Sequence, residues 1–455
     1  MKKMVKGEIT AFLSLVFLLL LSLTGAVLES ASIQVLKNEK RADAGRATES
    51  VFAEYQREML EEYDIFAVDS GYETGTVSEA NILNRLVFYG AENMNSDIEA
   101  IRYLTDQNGL EFCRQAVAYE KEKTGIAAAE ELAGNLSIWK EQEKKEEEYG
   151  KENKETSENL ERMLQEEEEN LPQEGNPLEP LSQMRSGSLL NIVLPEGFVL
   201  PQRAVELSKL VSHRELREGY GSLAERQAGT AETIFFNLYL LDKFDNAADE
   251  EEDAGLQYEL EYLLEGKESD IANLEAVVKK ICGLRFAANY AYLLTDTAKQ
   301  AEAEALAATL CSLLMTPGII PVVQQALLLA WAYGEGVVDV RTLLAGKKVP
   351  LMKTGETWQL SLEGLVDLGE SGTVNEGTDV EGGCTYERYI QMLLLLEKKE
   401  TLAMRALDLM ELHMRTISGQ PYFQADACVT GARFSMVCPM RRGIYYEFTT
   451  TFQYQ

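Results

Sequence analysis

The chain has 455 residues, of which 45% are hydrophobic, so it can bury a substantial core. Its 75 acidic and 43 basic side chains give a formal charge of −32 at pH 7. Such a charge repels nucleic acid and anionic surfaces, so we do not expect nucleic acid among the partners.

Residues 9–28 form an uncharged run that is long enough to cross a bilayer as a helix, which takes about 20 residues. Three lysines precede the run, namely Lys2, Lys3 and Lys6. Because cationic residues resist translocation, we expect residues 1–29 to be an uncleaved anchor with a cytoplasmic N-terminus and an extracellular body. A cleaved secretory signal is the alternative, but its apolar part usually has about 7 to 15 residues.

Helical spacing continues beyond the apolar run, at Ala44, Thr48, Val51, Tyr55 and Met59. This spacing predicts a single helix from the membrane to about residue 63, roughly 80 Å long at 1.5 Å per residue. Residues 30–70 would then form an amphipathic stalk that ends in a short strand. Small side chains along it would let another helix approach closely. They are Ala31, Ser32, Ala42, Ala44, Gly45 and Ala47.

Residues 71–170 are predicted to be a charged insertion, helical over 78–139 and rich in glutamate over 140–170. The glutamate-rich part offers little apolar surface, so we expect an exposed helix or a disordered arm. A calcium-binding site is the more specific alternative for this acidic segment, but the segment contains no Asp-x-Asp-x-Asp-Gly loop. Prolines and glycines mark residues 171–187 as a linker.

The extracellular body is predicted to comprise residues 188–455. Residues 189–194 suit a strand or a buried segment, and 203–217 a helix. Several helices follow over 230–345, interrupted by charged residues at 245–253. The apolar runs 303–315 and 319–333 are each too short for a membrane span, which needs about 18 residues, so we predict buried core helices.

The C-terminal third changes from helical to alternating apolar spacing. We predict an extended region at 349–366, a loop at 369–383, and an antiparallel helix pair at 386–397 and 401–416. Residues 444–454 alternate as a half-buried strand does, and 423–437, broken at Gly431, supply its partner. Residues 65–68 would join this sheet. The predicted fold is α+β and mainly helical, with a large helical lobe and a small antiparallel sheet.

The sequence offers no recognisable catalytic, cofactor or metal site. Its two histidines, His213 and His413, lack the spacing of a zinc motif. Nucleophile-elbow, phosphate-loop and dinucleotide motifs are missing as well. Of the six cysteines, only Cys428 and Cys438 are a credible disulfide pair, and the others suit core packing.

The N-terminal residues Gly7-Glu8-Ile9-Thr10-Ala11-Phe12 resemble the start of TadE- and TadG-like proteins of tight-adherence pilus systems. In those proteins a prepilin peptidase cuts after the glycine, so the resemblance implies processing between Gly7 and Glu8. The chain departs from the pattern at Ala11, where the family usually has glutamate.

Other segments resemble an uncharacterised family of TadE/TadG-like proteins from Gram-positive bacteria, which implies a pilus or secretion context and no reaction. These segments cover residues 61–66, 176–178, 189–195, 258–267, 338–341 and 405–411.

We therefore expect a non-catalytic, membrane-anchored protein that acts in assembling or anchoring a tight-adherence-type pilus or secretion apparatus. Its expected partners are the lipid bilayer and other membrane or pilus-assembly proteins, reached through the stalk helix. A stand-alone surface module for peptide or glycan is the first alternative, and an extracellular hydrolase is the second.

Overall fold

The computed structural model describes residues 5–125, 140–141, 144–156, 158–159, 162, 189–195, 197–224, 232–248, 256–313, 317–368 and 377–454. These residues are mainly helical and include a four-stranded antiparallel sheet, as predicted. The predicted linker at 171–187 lies outside the described residues, as does part of the glutamate-rich segment at 140–170. Within that segment, residues 144–156 are helical.

Helix α1, Val5–Phe52, is a single helix of 48 residues. The prediction that it continues to residue 63 is wrong. The Tyr454 hydroxyl donates to the carbonyl oxygen of Phe52, and the Gln56 amide donates instead to Ala67 at 2.9 Å. The bond that would extend the helix from Phe52 to Gln56 is therefore replaced, and the chain turns into a separate helix α2, Arg57–Tyr63.

The sheet is centred on strand β3, Cys428–Pro439. Strand β2, Asn95–Tyr103, pairs along one side of β3. On the other side, β1, Val68–Asp69, pairs with the first residues of β3, and β4, Tyr445–Gln453, pairs with the rest. The predicted tail strand, its partner and the added strand near residue 68 are confirmed. Gly431 does not break β3, because it pairs with both neighbours.

Strand β2 corrects the prediction that residues 78–139 are helical throughout. It lies between helix α3, Glu79–Leu86, which continues as a π-helical turn to Ala91, and helix α4, Asp106–Thr124. The second half of α1 packs on one face of the sheet. Ala44, Ala47, Val51 and Phe52 share an apolar cluster there with residues of β3.

The helical lobe begins with helix α5, Leu190–Val193, so residues 189–194 are a helical turn and not a strand. The alternative prediction of a buried segment is confirmed for Leu189, Leu190 and Val193. Its further helices are α6 at Glu232–Lys243, α7 at Glu259–Glu265, α8 at Asp270–Leu293, α9 at Thr297–Leu313 and α10 at Ile320–Leu344. Helices α8 and α10 pack against each other, and most of α10 is buried. The prediction of core helices here is confirmed.

Two predicted elements of the lobe differ from the structure. Residues 203–217 are not a helix, because the Val205 amide donates to Glu268 at 2.8 Å and only Leu207–Lys209 form a 3-10 turn. Residues 349–366 contain one isolated bridge, between Val349 and Cys384, and lead into helix α11, Gly364–Asp367. The predicted helix pair is confirmed as α12, Tyr386–Leu396, and α13, Lys399–Thr416.

Candidate functional site

The N-terminal half of α1 presents an exposed apolar surface. Among the described residues, α1 is the helix long and apolar enough to span a membrane. Twelve large apolar side chains between Ile9 and Leu28 are exposed, and Leu28 alone is 71% exposed. Soluble monomers rarely expose contiguous apolar patches of more than a few hundred Å². We define residues 9–28 as the anchor surface.

The distal half of α1 is fixed to the body by aromatic contacts with β4. The ring of Phe52 stacks on that of Phe452 with centroids 4.4 Å apart, and Tyr454 packs edge-on against Phe52 at 5.7 Å. Nearer the anchor surface, the Lys37 ammonium lies 4.9 Å from the centre of the Tyr446 ring. The anchor surface and the body are thus joined by one continuous helix.

The small residues predicted to pack against another helix divide into two groups. Ala44 and Ala47 are fully buried against the sheet of the same chain, so for them the prediction of an intermolecular contact is wrong. Gly45 is half-buried, and Ala31 and Ala42 are exposed. Gly7 and Glu8 lie in the first turns of α1, where the structure describes only the backbone.

The predicted disulfide between Cys428 and Cys438 is wrong. Both residues belong to β3, at positions that pair with Asp69 and Tyr446 respectively, and both thiols are free and buried. Ten residues of strand separate them by roughly 33 Å. A disulfide requires Cα atoms within about 7 Å. The sequence spacing gave no sign that the two cysteines share one uninterrupted strand.

A polar cleft opens at the distal end of α1, where α1, α2 and α3 meet the loop after β1. Its volume is about 730 Å³. The lining includes four acidic side chains (Glu54, Glu58, Asp69, Glu73) and two basic ones (Arg57, Arg85). We call this the distal cleft. The distal cleft could not be predicted from the sequence, because its lining comes from four separate elements.

Side chains within the distal cleft are held in place by charged and backbone contacts. Arg85 pairs with Glu54, which also accepts a hydrogen bond from Tyr89 at 2.6 Å. The buried Asp69 accepts from the amides of Gly71 and Glu73, at 2.8 and 3.0 Å. Burial raises the pKa of Tyr72, so this phenol stays protonated at neutral pH. The cleft thus offers preformed polar groups with an acidic excess.

Ser212, His213 and Asp408 lie together but do not form a hydrolytic triad. The Ser212 hydroxyl donates to the Asp408 carboxylate at 2.5 Å, and His213 Nδ1 lies 2.8 Å from the same hydroxyl. In a triad the histidine lies between serine and aspartate, whereas here the serine does. Tyr262 also donates to Asp408, at 2.7 Å. The arrangement therefore holds α7, α13 and the loop at residue 212 together.

His413 lies apart from that cluster, half-buried on α13 with its ring edge-on to Tyr63 at 5.8 Å. Burial lowers the pKa of His413, so the neutral imidazole is favoured. Within the described part of the chain, no group of three or more His, Cys, Asp or Glu side chains is arranged to hold a metal ion.

Four buried charged residues form an ion cluster within the helical lobe: Arg285, Glu335, Asp339 and Lys353. Arg285 pairs with Asp339 at 2.9 Å, and Lys353 bridges Asp339 and Glu335 at 2.7 and 2.5 Å. Burial raises the pKa of Glu335, and the nearby Asp339 raises it further, while Lys353 opposes them. The formal charges balance, as burial of charge in a low dielectric requires.

The ion cluster also fastens the region after α10 to the lobe. Arg285 donates to the carbonyls of Pro350 and Leu351, both at 2.9 Å, and Glu335 accepts from the amides of Gln359 and Leu360. This is how residues 349–360 hold a fixed path without helix or strand.

Two of the segments that carry the sequence resemblance, residues 258–267 and 405–411, meet in a polar contact. Arg405 on α13 donates to the carbonyl of Leu263 on α7 at 2.7 Å. Glu411 pairs with Arg214 at 2.5 Å, and Arg214 pairs with Asp426 at 2.5 Å just before β3. The first contact joins two helices of the lobe, and the other two join the lobe to the turn before β3. These residues therefore stabilise the fold and do not line the distal cleft.

Comparison with known proteins gives one finding. A family model described as a family of unknown function, DUF5702, matches residues 165–440. This match covers the lobe and the whole of β3, and leaves α1 and the other three strands outside. No curated protein matches the chain, and no solved structure does.

Proposed function

We propose that this chain, which belongs to the DUF5702 family of unknown function, is a non-catalytic membrane protein whose α1 holds an extracellular body beside the bilayer. One observation carries the proposal: nearly every large apolar side chain of the anchor surface is exposed, while Ala44, Ala47, Val51 and Phe52 of the same helix pack into the body. The three lysines before the apolar run favour a cytoplasmic N-terminus.

The free energy of insertion can be approximated from the anchor surface. Residues 9–28 contain thirteen Leu, Ile, Val and Phe residues. At about −0.3 to −0.6 kcal/mol each, they favour insertion by about 4 to 8 kcal/mol. A lysine at the centre of a spanning helix costs about 2.5 to 3.5 kcal/mol in addition to the lost leucine. Two such substitutions therefore cancel the benefit.

Membrane extraction with alkaline carbonate tests the anchor. We expect the full-length protein to stay in the membrane pellet, and the double variant Leu18→Lys with Leu21→Lys to move largely to the soluble fraction. Val35→Lys is the matched control, because Val35 is 66% exposed on the same helix beyond the anchor surface. Retention of the double variant in the pellet would contradict the proposal, and so would release of the unchanged protein.

We further propose that the anchor and stalk serve the assembly or anchoring of a tight-adherence-type pilus or secretion apparatus. The support is the Gly7 start, together with a long helix whose distal half packs on an antiparallel sheet. Ala31 and Ala42 leave room for a second helix, since both are exposed small residues.

Photocrosslinking in the native cell tests this context. A photoreactive residue at Ala42 is expected to capture a protein that itself has a prepilin-type start or belongs to a pilus machine. The same residue at Ala47 is the control, because Ala47 is buried within its own chain. Identical products from both positions, or deletion of the gene without any change in surface filaments, would contradict the pilus role.

The distal cleft favours a second candidate function, in which the body binds a peptide or glycan. Its acidic excess suits an occupant with a basic or hydroxyl-rich surface. Peptide and glycan arrays probed with the full-length protein would test this. Asn84→Trp, which fills the cleft, should abolish any binding that Glu92→Trp, outside the cleft, leaves unchanged. Equal binding by both variants would exclude the cleft as the site.

A further inference from the structure

We propose that the tip of the β3–β4 hairpin, residues 440–445, is a second membrane contact that binds anionic lipid headgroups beside the anchor. This inference rests on the proposed function, because it requires α1 to span the bilayer.

The hairpin tip points toward the anchor surface, because β4 runs alongside α1. At one end of β4, Lys37 and Arg41 lie 4.9 and 5.4 Å from the centre of the Tyr446 ring. At the other end, the Phe452 ring stacks on Phe52. Six residues of strand and thirteen of helix both span about 20 Å, so strand and helix stay aligned between these contacts.

The height of the tip above the bilayer follows from the same alignment. Lys37 and Arg41 lie about 14 and 20 Å beyond Leu28, where the apolar run ends. The tip extends two or three residues past Tyr446 toward the membrane, which brings it to within about 10 Å of the hydrocarbon. Each headgroup layer is about 5 to 8 Å thick. An extended arginine or tyrosine side chain at the tip therefore reaches the phosphates.

The chemistry of the tip differs from that of the rest of the chain. Residues 439–446 contain two arginines and no acidic residue, within a chain of formal charge −32. Arg441 is exposed, Ile444 is 41% exposed and Tyr445 is 71% exposed. Tyrosine is enriched at membrane interfaces, and arginine pairs with lipid phosphate. Between the anchor surface and Lys37, Glu29 is the one charged residue that could repel the headgroups.

This contact would set the orientation of the body on the membrane. A single helix leaves the body free to tilt, whereas a second contact offset from the helix restricts that motion. An anionic membrane surface repels the acidic remainder of the body, so the body turns the hairpin tip toward the membrane. Glu54 and Arg85 of the distal cleft contact each other near the other end of the sheet, and the cleft would then face away from the bilayer.

Lipid photocrosslinking with the full-length protein in nanodiscs tests the inference. Benzoylphenylalanine replaces Tyr445 at the tip, Tyr422 on the body as an equally aromatic control that is 60% exposed, or Leu15 within the anchor surface. The discs contain either phosphatidylcholine alone or phosphatidylcholine with phosphatidylglycerol, and intact mass reports the lipid adduct.

We expect adducts from position 445 with phosphatidylglycerol present, several-fold above those from position 422. Arg441→Glu should reduce them roughly five- to tenfold, as should omission of the anionic lipid. An adduct at position 15 with none above background at 445 would overturn the inference and leave the anchor intact. Equal yields from 445 in both lipid mixtures would overturn the anionic-headgroup contact. No adduct at position 15 would overturn the proposed function itself.

Discussion

Replacing Glu261 with glutamine should stabilise the folded body at neutral pH and remove part of its pH dependence. Glu261 is fully buried on α7 and accepts hydrogen bonds from the Ala247 amide at 3.0 Å and the Tyr386 hydroxyl at 2.7 Å. Its other carboxyl oxygen has no hydrogen-bond partner among the described residues. Burial raises the pKa of Glu261 to about 7, and the two hydrogen bonds oppose this only in part.

The sign and size of the effect follow from the two pKa values. An unfolded glutamate releases its proton near pH 4.3. Between about pH 4.5 and 7 the native state therefore holds a proton that the unfolded state has lost, so the free energy of unfolding falls as pH rises through this window. Above about pH 7 the native carboxyl group also loses its proton, and the free energy of unfolding falls no further on account of Glu261. The difference between the two pKa values corresponds to about 4 kcal/mol, of which about 3 kcal/mol falls between about pH 5 and pH 8, and glutamine has no proton to lose.

Urea unfolding of the full-length protein in detergent micelles measures this effect. The fluorescence of Trp331, buried in α10, reports unfolding of the lobe. The stability of Glu261→Gln relative to the unchanged protein should rise by about 3 kcal/mol between about pH 5 and pH 8. Glu356→Gln, at an exposed position, is the control and should show no such change. A difference that is the same at both pH values would refute the reasoning.

Three further predictions concern packing and buried charge. Arg285→Leu should lower the free energy of unfolding by about 3 to 5 kcal/mol, because it leaves Asp339 without its arginine. Adding Asp339→Leu should recover part of that loss, since Lys353 and Glu335 would remain paired. Urea denaturation of the single and double variants checks this. Phe52→Ala should cost about 3 to 5 kcal/mol and expose the junction of α1 and β4 to proteolysis. Gly266→Ala should lower the melting temperature more than Gly346→Ala. Both glycines have positive φ, but only the Cβ at 266 meets a neighbour, an arginine of α13 at 2.5 Å.

The elements that could be predicted from sequence are those whose signal is local. The anchor surface, the helices α9 and α10, the pair α12 and α13, and strand β4 each show a long apolar run or a sustained period. Their existence and type were therefore predictable, while their ends depended on contacts made elsewhere.

The mispredicted elements depend on residues far away in the chain. Helix α1 ends at Phe52, whose carbonyl oxygen accepts a hydrogen bond from the hydroxyl of Tyr454, about four hundred residues further along the chain. Residues 203–217 have helical spacing, but Val205 bonds to Glu268 instead. Strand β2 has register shifts near residues 98–103, which interrupt the alternation that marks a strand.

The candidate sites follow the same division. The anchor surface could be predicted because twenty consecutive residues carry it. The distal cleft could not, because its lining comes from separate elements. The residues of the hairpin tip are consecutive, but their place beside the anchor depends on the packing of β4 along α1. Ala44 and Ala47 have the small side chains of an intermolecular contact, yet the sheet of the same chain covers them. Residue type alone does not say which surface a small residue faces.

Labelling with a membrane-impermeant maleimide in intact cells tests the central claim most directly. Five of the native cysteines are buried, and Cys384 is half-exposed. Cys384→Ser therefore gives a protein whose remaining native cysteines should not react with the maleimide. In that background, Val35→Cys should react in intact cells. Glu8→Cys, which stays in the protein whether or not the chain is cut after Gly7, should react only after permeabilisation. The opposite pattern, or recovery of both variants from the cytosol without detergent, would contradict an anchor that holds the body outside the cell.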